Sequence, residues 1–83
     1  MSKTLYVGNL PWRTTEDELR DFFSERVSVQ AVRIITDRMT GRSKGFGFIE
    51  VSDEDAELAI REFNGKDLEG RALVVDEARE RTM

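Results

Sequence analysis

Hydrophobic positions cluster along four short stretches of the chain, and along two others they recur with the spacing of an amphipathic helix. The four short stretches are rich in β-branched and aromatic residues, and each ends at or just before a residue that favours turns or loops. They cover residues 4–9, 29–36, 45–51 and 72–76. We predict one strand from each of them.

Both helical stretches begin with signals for a helix start. Thr15 and Glu18 have the spacing of a capping box, so the first helix is predicted to run from there to about Arg26. Ser52 begins a segment with the same spacing, and the second helix is predicted to stop at residues 64–65, an Asn-Gly pair. The apolar positions that face the core are Leu19, Phe22, Phe23, Ala56, Ala59, Ile60 and Phe63.

The order of the predicted elements is βαββαβ. This order is typical of the ferredoxin-like split βαβ fold, an α+β architecture in which two helices cover one face of a four-stranded antiparallel sheet. The other face of the sheet then meets solvent. We predict a single domain over residues 1–83, with a core of about residues 3–78 and a short charged tail at residues 79–83.

Composition narrows the functions that such a domain can have. The 83 residues include no cysteine and no histidine, which excludes disulfides, thiolate zinc sites and the commonest general base. We therefore expect no enzyme activity, no cofactor and no metal. The chain has neither an apolar run long enough to span a membrane nor a secretory signal, so we expect an intracellular monomer that does not bind membranes.

The third predicted strand separates two kinds of side chain. Ile49 and Val51 suit a core beneath the helices, and alternation then places Phe46 and Phe48 on the open face of the sheet. The same alternation points Tyr6 outward in the first strand. Three exposed aromatic side chains on adjoining strands form an apolar patch of a kind that monomeric proteins seldom leave without a use.

Smaller features near these strands carry expectations of their own. Gly45 and Gly47 share the inner side of the third strand with Ile49, where they are expected to let a helix approach closely. Asn9 is expected to order the loop that follows it by hydrogen bonds and is not a predicted ligand contact. Trp12, in that loop, either covers the edge of the core or touches a ligand.

The two aromatic strands carry a family resemblance. Residues 5–10 resemble the RNP2 element of the RNA recognition motif family, and residues 44–51 resemble its RNP1 element. The resemblance covers nearly the whole chain, and both elements fall on the strands where that family has them. Val51 departs from the final aromatic of RNP1 on the inward side. Residues 26–27 replace an aromatic and the glycine that usually ends the first helix, so a left-handed helix cap is not expected.

The resemblance implies that the domain binds single-stranded RNA. Tyr6 and Phe48 would each stack on a base, Phe46 would contact the sugars between them, and Lys44 would reach a phosphate. We expect single-stranded DNA to bind more weakly. The candidate RNA-binding residues are Tyr6, Phe46, Phe48, Lys44, Arg42, Lys3, Arg33 and Arg79.

The distribution of charge bears on this expectation, because the net charge is −4. Residues 15–26 hold five acidic residues against two arginines, and residues 53–63 hold five against one. The acid is therefore concentrated in the helices, and the rest of the chain has a surplus of basic residues. We predict a locally positive sheet face with few phosphate contacts and a shallow dependence of binding on salt.

Two other function classes remain open. A protein-interaction module could use the acidic helix face to hold a basic partner, or the aromatic face to hold a peptide. An enzyme is the remote alternative, since small acyl-phosphate hydrolases share this architecture, but their phosphate-binding loop with its arginine is not recognisable here. The exposed aromatics together with basic loops favour RNA.

Overall fold

The structure is a computed structural model. It describes residues 2–41 and 43–78, and within the second range residues 43 and 44 are described by their backbone alone. The elements are β1 (Ser2–Gly8), α1 (Glu16–Ser24), β2 (Val29–Thr36), β3 (Ser43–Ser52), α2 (Asp53–Phe63), β4 (Asp67–Leu68), β5 (Arg71–Ala72) and β6 (Val74–Glu77). The central sheet has the strand order β2-β3-β1-β6 with antiparallel neighbours, and β4 and β5 form a separate hairpin. The predicted ferredoxin-like βαββαβ fold, with two helices on one face of the sheet, is confirmed.

The core lies between the two helices and the inward side chains of the sheet. Phe23 of α1 and Phe63 of α2 contact each other with their ring centroids 4.3 Å apart. Phe22 and Ile60, also predicted for the core, are partly buried and pack against it. The buried apolar side chains are Leu5, Val7, Leu10, Leu19, Phe23, Val27, Ile49, Val51, Ala56, Ala59, Phe63, Leu73 and Val75. Neither helix in the described ranges is long and apolar enough to cross a bilayer.

Both helices begin as the sequence predicts. The Thr15 hydroxyl accepts from the Glu18 backbone N–H at 3.1 Å, and the Glu18 carboxylate accepts from the Thr15 N–H at 2.9 Å. Ser52 caps α2 by accepting from the N–H of Asp55 at 3.3 Å. Each cap satisfies backbone donors that have no partner within the helix, and it fixes where the helix starts.

The end of α1 needs no glycine. Its last residues stay in the right-handed region, as expected, and the buried Val27 carries the chain towards β2. Contacts with α2 secure this turn: the Arg26 guanidinium binds the Glu62 carboxylate at 2.8 Å, and the Ser28 N–H donates to Asp55 at 3.3 Å. The helix thus ends without a glycine, through these tertiary contacts and through local hydrogen bonds from the Arg26 and Val27 N–H groups to the Phe23 carbonyl.

The last sheet strand begins later than predicted. Ala72 pairs with Asp67 in the β4–β5 hairpin, and the sheet strand is Val74–Glu77 instead of residues 72–76. Glu69 and Gly70 form the two-residue turn with φ values of 51° and 88°. Positive φ at both positions matches the turn type that the twist of a tight hairpin favours. The hairpin thus takes Ala72, which the sequence analysis assigned to the sheet strand.

The prediction that Gly45 and Gly47 make room for a helix is wrong. A Cβ at Gly47 would clash with the backbone carbonyl of Arg33 and lie 3.0 Å from the Cα of Ile34, so the neighbour is β2. Gly45 has a φ of 89°, and its carbonyl accepts from the Leu10 N–H at 2.8 Å. Gly47 therefore allows the β2 backbone to approach β3 closely, and Gly45 allows a bend at which β3 contacts the β1–α1 loop.

We expect Gly47→Ala to lower the free energy of unfolding by about 1–3 kcal/mol, because the new methyl group must displace the β2 backbone. Urea denaturation followed by circular dichroism measures the change. An unchanged midpoint and slope of the urea denaturation curve would show that the β2 backbone can move aside without any loss of stability.

Candidate nucleic-acid interface

Three aromatic rings form one patch on the open face of the sheet, and we call them the aromatic patch. Tyr6 of β1 lies directly opposite Phe48 of β3, and Phe46 lies opposite Gly8. The ring centroids are 5.9 Å apart for Tyr6 and Phe46, 6.1 Å for Tyr6 and Phe48, and 6.2 Å for the two phenylalanines. All three side chains are partly exposed. The rings thus lie in a near-equilateral triangle that solvent can reach.

Gly8 gives the Tyr6 ring its place in the patch. A methyl group at Gly8 would lie 2.5 Å from the Tyr6 Oη and 2.7 Å from its Cε2, so the ring folds along β1 over the glycine. This position brings the ring beside Phe46, the cross-strand partner of Gly8. The sequence analysis did not single out Gly8, although it follows the tyrosine by two residues on the same face.

Charged side chains of both signs surround the patch. Arg33 pairs across the strands with Phe48, Asp76 pairs with Tyr6, and Glu50 follows Phe48 on the same face. Among the residues whose side chains are described, the sheet rows therefore bring one arginine and two carboxylates to the patch. The predicted positive face depends on Arg42, Lys44 and Arg79, whose side chains lie outside the described part of the chain.

Lys3 does not lie with the aromatic patch. It shares the inward side of β1 with Leu5, and its ammonium group binds the Glu77 carboxylate at 2.7 Å. The hydrogen bond and the charge of Glu77 raise the pKa of Lys3 above its usual value, with smaller contributions from Asp53 and Glu57 of α2. The structure thus places Lys3 on the helix side of the sheet, apart from the residues with which the sequence analysis grouped it.

A hollow of about 410 Å³ adjoins the aromatic patch between Tyr6, Phe46 and the β1–α1 loop. Trp12, 56% exposed, and Arg71 of the hairpin both line it. Asn9 lines it too and donates to the Ala72 carbonyl at 2.7 Å, so its amide ties the hairpin to β1. Asn9 thus makes an ordering hydrogen bond, but its partner is the hairpin and not the loop that follows.

Arg71 is a residue that the sequence analysis missed. It lies next to the Glu69-Gly70 turn, and only the folding back of the hairpin brings it to the end of β1.

The described residues, 2–41 and 43–78, contain no group of carboxylates arranged to hold a metal ion.

Comparison with known proteins agrees with this geometry. A family model for the RNA recognition motif matches residues 5–74, a range that contains all three residues of the aromatic patch. The chain belongs to this family. It is 47% identical over 77 residues to the human (Homo sapiens) cleavage stimulation factor subunit 2 tau variant, a match that covers 92% of this chain and 12% of that protein. The chain therefore spans only a small part of this relative.

Solved structures show the same relationship. The crystal structure of RNA binding protein PG1 has a TM-score of 0.88 and 44% identity, with 98% of this chain and 99% of that chain covered. The structure of the Rna15 RNA recognition motif with bound RNA (GU) has a TM-score of 0.82 and 33% identity, with 96% and 86% covered.

We expect Gly8→Ala to displace the Tyr6 ring from Phe46 while stability stays the same or rises by up to about 1 kcal/mol, because alanine is the better strand residue. Nuclear Overhauser effects between the Tyr6 and Phe46 ring protons report the displacement, and thermal unfolding reports the stability. Unchanged ring contacts would show that the ring does not depend on Gly8.

Proposed function

We propose that this domain binds single-stranded RNA on its open sheet face, with one base stacked on Tyr6 and another on Phe48. Phe46 contacts the sugars that link these two bases. The observation that carries the proposal is the triangle of three partly exposed rings, each about one ring width from the next. Such a patch is costly to leave in water and matches the apolar faces of unpaired bases.

Stacking selects the strandedness of the ligand. Duplex bases already stack on one another, so the aromatic patch favours single strands, loops and bulges. RNA also offers a 2′-hydroxyl group to the sugar contacts near Phe46, and we propose that single-stranded DNA binds more weakly for that reason. The bound RNA in the related Rna15 structure supports the nucleic-acid class of the ligand.

Basic residues around the patch complete the proposed site. Arg33 lies beside Phe48, and Arg71 lines the hollow next to Tyr6. Each arginine can therefore contact a phosphate of an RNA strand that lies across the sheet. Arg42, Lys44 and Arg79 stay predicted phosphate contacts. Trp12, which lines the same hollow as Arg71, offers a further ring on which a base could stack.

We also propose that the domain acts as a monomer inside cells and catalyses no reaction, since the site consists of stacking and charge contacts alone. The acidic helix face remains the surface for the alternative role in binding a basic protein partner. The aromatic patch, in contrast, is at the opposite side of the sheet. A protein partner on the helices and RNA on the sheet are therefore sterically compatible.

We expect Phe48→Ala to weaken the binding of a short uridine-rich RNA by about 1–3 kcal/mol, the usual loss for one stacked base. Phe48→Leu is the matched control, because it keeps an apolar side chain of similar bulk and removes only the flat ring. Fluorescence anisotropy measures both, with circular dichroism to verify folding. Equal affinity of all three proteins would contradict stacking on Phe48.

We expect a shallow salt dependence, with a slope of log K against log salt of roughly −2, as about three phosphate contacts to a single strand would give. Arg33→Gln should reduce the magnitude of this slope by about 0.7, the value for one contact. Lys3→Gln should leave the slope unchanged, since Lys3 faces the helices and pairs with Glu77. If Lys3→Gln reduced the slope and Arg33→Gln left it unchanged, the RNA would lie on the helix side of the sheet, and the proposal would be wrong.

A further inference from the structure

A second hollow, of about 280 Å³, lies on the sheet face beyond Phe48. Arg33, Phe48 and Glu50 line it together with Thr4 and Ala31. The hollow therefore joins a stacking ring with two side chains of opposite charge. It is distinct from the hollow beside Trp12, which lies at the other end of the aromatic patch.

The two charged side chains in this hollow do not form an ion pair with each other. Among the described residues the ion pairs are Lys3 with Glu77 and Arg26 with Glu62, and neither Arg33 nor Glu50 takes part in an ion pair or a side-chain hydrogen bond. Glu50 is nevertheless only partly exposed. A carboxylate in a central strand, on the face proposed for a polyanion, contributes nothing visible to the fold and repels phosphate.

The position of Glu50 suits contact with a base on Phe48. The two residues are separated by one residue along β3, so their side chains leave the same face about 7 Å apart. A base centred on the Phe48 ring can direct one edge along the strand towards Glu50. The carboxylate then meets the edge of that base and not its apolar face.

The chemistry of a carboxylate distinguishes the bases. An ionised carboxylate only accepts hydrogen bonds, and it has two oxygens side by side. Guanine presents two neighbouring donors on its Watson–Crick edge, the N1–H and the N2 amino group. Adenine and cytosine present one amino group next to an acceptor nitrogen, and uracil presents one N–H between two carbonyl oxygens that repel the carboxylate. Two parallel charge-assisted hydrogen bonds form only with guanine.

We propose that Glu50 makes the Phe48 position selective for guanine by accepting from N1–H and N2–H of the stacked base. The proposal rests on RNA binding at the aromatic patch. Arg33 in the same hollow offsets the repulsion between Glu50 and the RNA backbone. Loss of the carboxylate would therefore leave stacking intact and remove the preference for one base.

The test uses five-nucleotide uridine RNAs that carry a single guanosine at each position in turn, with binding measured by fluorescence anisotropy. At the position that binds tightest, inosine replaces guanosine, which removes only the N2 amino group. We expect guanosine to bind about tenfold tighter than inosine, as one hydrogen bond to a charged group would give. Glu50→Gln should bring this ratio close to one without weakening the binding of the all-uridine RNA.

Asp76→Asn is the matched control. Asp76 lies on the same face beside Tyr6, so this substitution changes the charge by the same amount outside the hollow. We expect it to keep the guanosine-to-inosine ratio of the unaltered protein. Equal tightening of every RNA by both substitutions, with the ratio unchanged, would reduce Glu50 to a general repulsive charge and overturn the proposal.

The outcomes also separate this proposal from the proposed function. If the unaltered protein binds all the RNAs but prefers guanosine at no position, the selectivity of Glu50 is refuted and RNA binding stands. If it binds none of them, including the all-uridine RNA, RNA binding at the aromatic patch itself is refuted.

Discussion

The pairing of β1 with β3 is the constraint on which the rest of the structure depends. In one register it sets Leu5 opposite Ile49 inside the core and Tyr6 opposite Phe48 outside. Side chains alternate along a strand, so a slip of β1 by one residue against β3 would expose Leu5 and bury Tyr6. Burial of each aliphatic side chain contributes about 1.5–3 kcal/mol. Core packing thus holds the rings on the surface without any need for the rings to stabilise the fold.

Local signals explain why much of this was predictable. Alternation placed Phe46 and Phe48 on the open face, and the capping residues Thr15 and Ser52 placed the helix starts, because both signals act within a few residues. The inward direction of Lys3 was also readable, since it shares its side with Leu5 and Val7. The hairpin was not readable, because it requires Glu69, a residue that rarely adopts a left-handed backbone, to do so. The role of Gly47 depends on the β2 backbone opposite it, which local sequence does not specify.

Charge is the property that a count by segment describes least well. Successive residues of a strand face opposite sides of the sheet, so a strand's sum mixes two surfaces. In β6, Asp76 lies beside Tyr6 on the open face, whereas Glu77 pairs with Lys3 on the helix side. The same sum would result if their positions were exchanged, although the surface near the rings would differ. The electrostatics of this domain are therefore a matter of individual positions.

The position of the Tyr6 ring over Gly8 has a consequence for the thermodynamics of ligand binding. A ring that lies against its own backbone and beside Phe46 has already lost much of its rotational freedom in the unliganded protein. Ordering a mobile side chain at an interface costs about 0.5–1.5 kcal/mol, and a preorganised one avoids most of that cost. In the proposed RNA complex, the entropy lost on binding therefore falls mainly on the ligand, and the stiffness of the nucleotide chain becomes a determinant of affinity that needs no contact with the protein.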